Sequence, residues 1–329
     1  MEYRKLGTSD LQVSVIGLGT NNFGNPSRIT DHAESARVLH KCLDLGINFI
    51  DTADRYGEGQ SEVHIGEALL KDGRRKDAII ATKFNLNNLN GKPVRDRIME
   101  SVETSLKKLQ TDYIDLYQIH FPVPGLSQEE VLEPLSQLVK DGKVRYIGEC
   151  NYAGWRHAHA DAVSEKKGWP RMVSSQNYYN VFRRQVELEL LPFCTEANVG
   201  FLPYFPLAGG WLSGKYQPGA APPQGARRMV GQLQKDENAH AVLAKLDAFA
   251  QERGRTLLDL AFAWLLAHPA VSSVIAGAMN PEQVGANAKA ADWRMSVEER
   301  DAIDEIAAWD GNGEEVENYG PGGPERVLR

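Results

Sequence analysis

Four residues capable of proton transfer follow strand-like runs that are neighbours along the chain. Asp51 lies at the end of one run with Tyr56 a few residues later, Lys83 ends the next run, and His120 ends the one after that. Strand ends form the active-site face of a parallel barrel, so these four side chains are expected to converge. Each alone has an ordinary explanation, as a helix cap, a packed ring, a surface charge or a structural histidine. Together they predict a site for acid–base chemistry.

Tyr56 needs help to act as an acid, because a phenol with a pKa of about 10 is a poor proton donor at neutral pH. A nearby ammonium group stabilises the phenolate, so Lys83 is expected to lower the pKa of Tyr56 if the contact is close and partly desolvated. Asp51 would keep Lys83 charged and fixed. His120 would donate a hydrogen bond to a carbonyl oxygen or help to relay the proton. This combination suits the reduction of a carbonyl group.

The elements that must position these residues alternate between short β-branched runs and longer helical patterns, which is typical of βα units. The predicted strands are 15–19, 48–52, 78–83, 114–120, 144–148, 173–177, 200–205 and 272–276. The predicted helices are 31–45, 61–71, 93–109, 128–141, 154–167, 187–197, 256–268 and 281–291. Eight such units fit a closed (β/α)8 TIM barrel, with long loops at the C-terminal face of the strands, better than an open dinucleotide-binding sheet. The open sheet remains an alternative on the count alone.

Local signals mark the beginning of the barrel and several helix ends. The runs 3–6 and 11–14 flank a Gly-Thr-Ser-Asp turn and predict a short antiparallel hairpin before the first barrel strand. Ser61 is a candidate N-cap, and Pro93 suits a first helical position. Gly142 follows a helix that ends in Lys140.

Two segments break the alternation of strands and helices. Residues 209–231 contain six glycines and three prolines together with Lys215, Arg227 and Arg228. A loop of this length within a compact domain is usually functional or disordered, and this one is expected to be mobile and to fold over a bound ligand as a clasp. The tail 310–329 is expected to be irregular.

Composition favours one soluble, reduced, cytoplasmic domain spanning residues 1–329. Net charge is −7 and no basic tract is present, which argues against a nucleic-acid partner. The three cysteines, Cys42, Cys150 and Cys194, lie too far apart to suggest a disulfide framework or a cysteine metal site. No apolar run is long enough to span a membrane, and the N-terminus lacks the apolar core of a secretory signal.

An ordered set of motifs resembles the aldo-keto reductase superfamily, and most closely its branch of bacterial and potassium-channel-β-subunit-like members. The motifs are Gly17-Leu18-Gly19-Thr20, Phe49-Ile50-Asp51-Thr52-Ala53 followed by Tyr56-Gly57, Ala81-Thr82-Lys83, Tyr117-Gln118-Ile119-His120, Gly148-Glu149-Cys150-Asn151, Gln176-Asn177, Tyr204-Phe205-Pro206-Leu207 and Pro281-Glu282-Gln283-Val284. They run in family order over nearly the whole chain. The resemblance implies a (β/α)8 barrel that binds an extended nicotinamide cofactor, and no G-x-G-x-x-G turn opens a helix here.

The resemblance also implies roles for individual residues. Tyr56 would be the acid and base, Asp51 and Lys83 would tune it, and His120 would orient the substrate. Cofactor contacts are implied for Gly19, Thr20, Asn21, Arg28, Asp51, Asn151, Gln176, Tyr204, Phe205, Pro206, Leu207, Ala208, Gly209, Lys215, Arg227, Gly277, Gln283 and Asn287. Asn151 and Gln176 would hold the carboxamide and Tyr204 would stack on the nicotinamide ring. No metal is implied.

Three positions depart from the family pattern. Cys150 stands where a serine is common, Ala286 replaces an acidic residue before Asn287, and Gln283 stands where many members carry arginine against the 2′-phosphate. The expected preference for NADP(H) over NAD(H) therefore depends on Lys215 and on Arg227 or Arg228.

The residues leave several alternatives open. Phe23, Phe84, Phe121 and Trp155 follow strand ends and would either wall a substrate pocket or pack in the core. Substrates of the family include aldehydes, ketones, sugars and secondary alcohols, and neither the substrate, nor the direction, nor the oligomeric state is selected by the sequence. An NAD-dependent dehydrogenase and a cofactor-sensing binding subunit are alternatives. A metal-dependent barrel isomerase is a third, but only Asp51 and His120 are good ligand candidates.

Overall fold

Eight parallel strands form a barrel in the computed structural model, which describes residues 1–87, 89, 91–216, 228–309 and 311. The barrel strands are β3 (Ile16–Gly19), β4 (Phe49–Asp51), β5 (Ile79–Phe84), β6 (Ile114–Ile119), β7 (Val144–Cys150), β8 (Met172–Gln176), β9 (Gly200–Phe201) and β10 (Val274–Gly277). Hydrogen bonding joins them in chain order from β3 to β9, with β10 beside β3. Two backbone hydrogen bonds join the chain around β9 to β10 and the residues just before it. They run from Phe201 N to Ala270 O (2.8 Å) and from Ile275 N to Pro203 O (3.0 Å). The predicted (β/α)8 barrel is confirmed.

The helices surround the barrel and all eight of the predicted ones are present. They are α1 (His32–Asp44), α2 (Gln60–Lys71), α3 (Val94–Leu109), α4 (Gln128–Lys140), α5 (Gly154–Lys167), α6 (Leu190–Ala197), α7 (Arg228–Leu233), α8 (Glu237–Gln251), α9 (Leu257–Leu266), α10 (Pro281–Ala290) and α11 (Val297–Ile306). Of these, α7, α8 and α11 were not predicted. They lie outside the simple alternation of one helix after each strand.

The N-terminal hairpin closes the bottom of the barrel. Its strands are β1 (Tyr3–Lys5) and β2 (Gln12–Ser14), as predicted. Leu6, Leu11 and Val13 pack into the cluster that fills the barrel interior. Gly7 has a φ of +53°, and a Cβ there would approach Val173 O to 2.3 Å, so only glycine lets the turn lie this close.

Three local predictions need correction. Ser61 is not the N-cap of α2, because Gly59 occupies that position and Ser61 lies inside the first turn. Pro93 is the N-cap residue of α3 rather than its first helical residue. The strand predicted for 200–205 ends at Phe201, since Pro203 and Pro206 have no N–H to donate to a strand ladder.

The segment 209–231 is only partly described. Residues 208–213 form a 3-10 turn with Trp211 fully buried, and Tyr216 is buried as well. At the other end, α7 begins at Arg228 and Val230 is fully buried. These two ends are packed, and residues 217–227 lie outside the described part, so the cofactor clasp expected for 209–231 stays a prediction. All but one residue of the predicted irregular tail, 310–329, also lie outside it. In the part of the chain that is described, no helix has both the length and the apolar character needed to cross a membrane.

Candidate active site

The structure brings together the four residues predicted to carry proton chemistry. Asp51 is the last residue of β4, Lys83 lies in β5, His120 directly follows β6, and Tyr56 begins a 3-10 turn between β4 and α2. Lys83 Nζ donates to Asp51 Oδ1 at 2.6 Å and to the Thr52 carbonyl at 2.8 Å. The Lys83 ammonium lies 5.2 Å from the centre of the Tyr56 ring, which lies 5.8 Å from the His120 ring centre.

Burial decides the protonation states of this cluster. Lys83 is 1% exposed, and burial is the largest single effect and would lower its pKa, but the groups around it, led by the Asp51 carboxylate, together hold the pKa of Lys83 above its usual range. Burial raises the pKa of Tyr56 to about 12, against the opposing effect of Lys83. The sequence-based expectation of a lowered pKa for Tyr56 is therefore wrong for the protein alone, since desolvation exceeds the attraction of the ammonium.

His120 is the neutral member of the cluster. Burial, followed by the charges of Lys83 and Arg55, lowers the pKa of His120 well below its usual range. Its Nδ1 is buried and has no hydrogen-bond partner among the described residues. A buried polar atom of this kind is costly unless a ligand or water satisfies it, which marks the position as a place for a polar group.

The two amide side chains expected to hold a carboxamide are hydrogen-bonded to the four-residue cluster itself. Gln176 Nε2 donates to Asp51 Oδ1 at 2.8 Å. Asn151 Nδ2 donates to the His120 carbonyl at 2.8 Å, and Asn151 Oδ1 accepts from the Tyr204 hydroxyl at 2.7 Å. These contacts tie the ends of β7 and β8 to those of β4 and β6.

Further side chains under the cluster were not singled out as site residues from the sequence. Tyr178 stacks on Tyr204 with ring centres 5.6 Å apart and planes 13° apart. The Cys150 thiol lies 3.7 Å from Gln176 Oε1 and 3.8 Å from Gln118 Oε1. The alternation of inward and outward residues along β6 was a signal that could have identified Gln118, because it is two residues before His120.

Backbone strain is concentrated around the same strand ends. Glu58, Asn151, Phe205 and Ala208 have positive φ values although none is glycine. The two other such residues, Gln110 and Asn198, simply end helices α3 and α6. Strained conformations persist only where the surroundings fix them, and they are common at functional sites.

The turn after β9 combines this strain with positive charge. The turn that follows Leu207 contains three consecutive residues with positive φ, namely Ala208, Gly209 and Gly210. A Cβ at Gly210 would come within 3.0 Å of Lys215 Nζ, so glycine leaves room for the ammonium against the turn. Lys215 Nζ lies 5.3 Å from the Tyr216 ring centre.

Arg28 approaches the same place from the loop after β3. Burial raises the pKa of Tyr216, and the Arg28 charge opposes that rise, so the guanidinium lies within electrostatic range of the Tyr216 hydroxyl. Arg228 is the first residue of α7, whereas Arg227 lies outside the described residues. Pro206 lies between Phe205 and Leu207 in the turn that leads to this cationic region.

Further residues expected to contact the cofactor lie beside the ends of β3 and β10. Gly19 pairs with Gly277, and Thr20 Oγ1 donates to the Asp51 carbonyl at 2.9 Å. Asn21 follows in the same half-buried turn. The side chain of Gln283 accepts from Met279 N at 2.8 Å and so caps the start of α10.

Asn287 is buried one turn further along α10, and Ala286 is exposed.

The four aromatic residues considered as pocket walls divide into two pairs. Phe23 and Phe84 are fully buried in the main core, and Phe84 stacks on Tyr117 at 4.7 Å. Phe121 stacks on His120 with ring centres 4.3 Å apart, and Trp155 is 55% exposed. The first two pack in the core, and only the second two lie where a substrate could touch them.

Known proteins provide an independent comparison. A family model described as the Aldo/keto reductase family matches residues 15–308. Aldo-keto reductase YhdN of Bacillus subtilis is 34% identical over 93% of this chain and 93% of its own length. A probable voltage-gated potassium channel subunit beta of Arabidopsis thaliana is 35% identical over 89% of this chain and 92% of its own. Versiconal hemiacetal acetate reductase of Aspergillus parasiticus is 29% identical over 84% of this chain and 88% of its own.

Proposed function

Since the chain belongs to the aldo/keto reductase family, we propose that it is an NADP(H)-dependent oxidoreductase that transfers hydride between nicotinamide and a carbonyl or alcohol group. The substrate would be an aldehyde, a ketone or a sugar. The observation that carries the proposal is the buried Lys83–Asp51 ion pair beside Tyr56 and His120. A buried ion pair is costly to maintain, and nothing about barrel stability requires one at this position.

Tyr56 is the proposed general acid in reduction. Its raised pKa keeps the phenol protonated at neutral pH, so the proton is present when a carbonyl substrate arrives. As the proton leaves for the carbonyl oxygen, the Lys83 ammonium stabilises the phenolate that remains. Asp51 and the Thr52 carbonyl hold that ammonium in place. In alcohol oxidation the phenolate would take the proton back.

His120 is proposed to orient the substrate rather than to transfer the proton. A neutral imidazole has one N–H to donate, and the lowered pKa of His120 keeps the ring neutral. The carbonyl oxygen of the substrate would accept that hydrogen bond, which fixes the oxygen near the Tyr56 hydroxyl.

The described residues fit a nicotinamide cofactor, which supplies the hydride when bound. Asn151 and Gln176 would hold the carboxamide, and Tyr204, already stacked on Tyr178, would offer its other face to the ring. The unpartnered His120 Nδ1 and the Lys215 ammonium packed against Gly210 support the fit.

The preference for NADP(H) is proposed from charge. Lys215 and Arg28 both lie near Tyr216, which places two cations at one edge of the strand ends in a chain of net charge −7. The negatively charged phosphate groups of the cofactor would be attracted to these two cations, and Arg227 or Arg228 would add further positive charge. NAD(H) remains the alternative cofactor, because Gln283 is engaged in capping α10.

A second candidate function comes from the potassium-channel relatives. A cofactor-sensing binding subunit would keep the cofactor site and turn over slowly or not at all. The complete set of Asp51, Tyr56, Lys83 and His120 favours the enzyme, because a binding subunit has no need of a proton donor.

The test is a substrate screen that follows absorbance of NADPH and of NADH with aldehydes and ketones, and their formation with alcohols. The proposal expects turnover with at least one class and a higher kcat/KM with NADPH. Tight cofactor binding without turnover of any substrate would instead support the binding subunit. Faster turnover with NADH would refute the cofactor preference alone.

Activity is also expected to survive exhaustive treatment with EDTA. Among the residues that the structure describes, no group of three or more His, Cys, Asp or Glu side chains could hold a metal ion. Acid catalysis by a phenol beside an ammonium needs no metal. Loss of turnover on chelation, with recovery on adding a divalent ion, would contradict the proposed mechanism.

A further inference from the structure

A carboxylate and an imidazole are buried together behind the strand end that carries Asn151. Glu149 in β7 and His157 in α5 are both 0% exposed, and His157 Nδ1 lies 2.9 Å from Glu149 Oε1. Replacing such a pair by packed apolar side chains is often neutral or stabilising, so stability alone does not explain its presence. The proposed mechanism uses neither side chain.

Glu149 holds the backbone that follows Asn151. Its second oxygen, Oε2, accepts from the Tyr152 backbone N–H at 3.1 Å. On the other side, Asn177 Nδ2 donates to the Tyr152 carbonyl at 2.9 Å. Both polar groups of the Tyr152 backbone are therefore held by buried side chains.

Asn151 itself has a left-handed backbone conformation, which asparagine adopts more readily than other non-glycine residues. Its φ is +65°, in the left-handed region that non-glycine residues rarely adopt. In this conformation its amide reaches both the His120 carbonyl and the Tyr204 hydroxyl. A change in the backbone on either side of Asn151 would turn the amide away from these two partners.

Among the residues described, Glu149 is the one hydrogen-bond partner of the His157 ring. With Glu149 ionised, Nδ1 must be the donor in their hydrogen bond. Nε2 has no hydrogen-bond partner there, and it lies 3.9 Å from Asp161 Oδ1, which is too long for a hydrogen bond. The imidazole therefore fixes the rotamer of Glu149 from one side.

We propose that Glu149 and His157 are positioning residues for Asn151. His157 fixes Glu149, Glu149 fixes the Tyr152 peptide, and that peptide holds the Asn151 amide in the orientation that would receive the carboxamide of the cofactor. Only the last of these steps, in which the Asn151 amide receives the cofactor carboxamide, rests on the proposed function.

The test compares one variant that removes the hydrogen-bond acceptor of the Tyr152 N–H with another that keeps it. The double variant Glu149→Met with His157→Leu removes both members of the pair, so that neither is left buried without the other and the Tyr152 N–H is the group that loses its acceptor; the barrel is expected to fold. Glu149→Gln keeps an oxygen for the Tyr152 N–H. In the double variant, hydrogen exchange of the Tyr152 amide is expected to be at least tenfold faster, and the Kd for NADPH about tenfold higher. Glu149→Gln should stay within about twofold of the wild type in both.

Asp115→Asn is the matched control. Asp115 is the second residue of β6, at the opposite end of the barrel; it is also buried, accepts a backbone N–H from Ile80 at 3.0 Å, and pairs with Arg75. This variant should lose stability and leave Tyr152 exchange and NADPH affinity unchanged. A change in NADPH affinity as large as that of the double variant would overturn the proposal, because any loss of a buried carboxylate would then suffice.

The remaining outcomes are also decisive. A folded double variant with wild-type exchange at Tyr152 would show that Glu149 does not hold this peptide. Faster exchange with wild-type affinity would show that the peptide is held but does not serve the cofactor, and either result overturns the proposal. A wild-type protein that binds neither NADPH nor NADH would refute the proposed function, and the exchange data would separately report whether the pair holds the backbone.

Discussion

At the scale of single residues, two opposing effects set the behaviour of Tyr56. Burial raises its pKa to about 12, and the Lys83 ammonium 5.2 Å from its ring centre works in the opposite direction. The phenol is consequently protonated at neutral pH, and the proposed contribution of Lys83 is to stabilise the phenolate formed during the reaction. One hydroxyl group carries the whole proposed acid function.

Replacing Tyr56 by phenylalanine should abolish carbonyl reduction while leaving cofactor binding near the wild-type level. The ring and its contacts with Lys83 and His120 remain, and only the proton donor is lost. A general acid typically accelerates a reaction by ~10²–10⁴-fold, so turnover should fall by a factor in that range or larger. Steady-state kinetics and cofactor titration by protein fluorescence measure the two quantities. Turnover within about tenfold of the wild type would remove Tyr56 from the role of acid.

At the scale of elements, the first turn of α2 joins three strand ends. The Ser61 hydroxyl lies 2.8 Å from Thr20 Oγ1, 3.0 Å from the Thr20 carbonyl and 2.9 Å from Thr52 Oγ1. In the next position, Glu62 accepts from Thr82 at 2.7 Å. The turn that carries Tyr56 lies between Thr52 and Ser61, so these contacts fix both of its ends.

Ser61→Ala should therefore cost more than the loss of an ordinary helix cap. It leaves the buried Thr52 hydroxyl without this partner, which typically costs about 1–3 kcal/mol, and it should also lower kcat by loosening the Tyr56 turn. Ser127→Ala is the control, because Ser127 is a true N-cap at the exposed start of α4. That variant should lose about 1 kcal/mol and keep its kcat. Urea unfolding and steady-state kinetics of both variants distinguish these results, and equal effects of the two on kcat would contradict the argument.

The cationic segment after β9 leads to a protease experiment. Lys215 is exposed, and the proposed cofactor phosphates would lie against it. Saturating NADP should slow tryptic cleavage after Lys215, because a segment that closes over the cofactor is less accessible. NAD should protect less if Lys215 reads the additional phosphate. Equal cleavage rates with and without either cofactor would remove the main support for the NADP preference.

The sequence was sufficient to predict the barrel strands and the convergence of Asp51, Tyr56, Lys83 and His120, because both depend on local patterns. Strand ends place Asp51, Lys83 and His120 on one face whatever the details of packing. The contacts of Gln176 with Asp51 were beyond the sequence, since they join residues 125 positions apart through particular side-chain rotamers. Helix α11 was overlooked for a different reason. Its capping box, Ser296 with Glu299, was legible in the sequence, but the helix does not belong to the βα alternation.

At the scale of the whole molecule, acid should destabilise the fold through His268. Burial lowers the pKa of His268 to about 4, and its Nε2 lies 2.9 Å from the Tyr179 hydroxyl. A base with a lowered pKa in the folded state binds protons less well than in the unfolded chain, where its pKa is about 6.5. Stability is then lost as the pH falls from about 6.5 towards 4, by at most about 3 kcal/mol from this residue.

Urea unfolding at pH 7, 5.5 and 4.5 measures that loss. His268→Gln should be less stable than the wild type at pH 7 and should show a shallower decline with acid. A variant whose stability falls as steeply as that of the wild type would assign the acid sensitivity to other groups.

The order of strands around the barrel also has a consequence for synthesis. The proposed proton-transfer residues all lie between Asp51 and His120, on β4 to β6, which pair with one another in chain order. Most of the proposed cofactor contacts come later in the chain, from Asn151 to Asn287, and β10 must arrive to pair with β3. A chain that has left the ribosome only as far as His120 carries every proposed acid–base group and little of the cofactor site. A message cut short before the codon for Asn151 would therefore yield fragments that lack most of the proposed cofactor contacts and compete poorly for the cellular pool of nicotinamide cofactor.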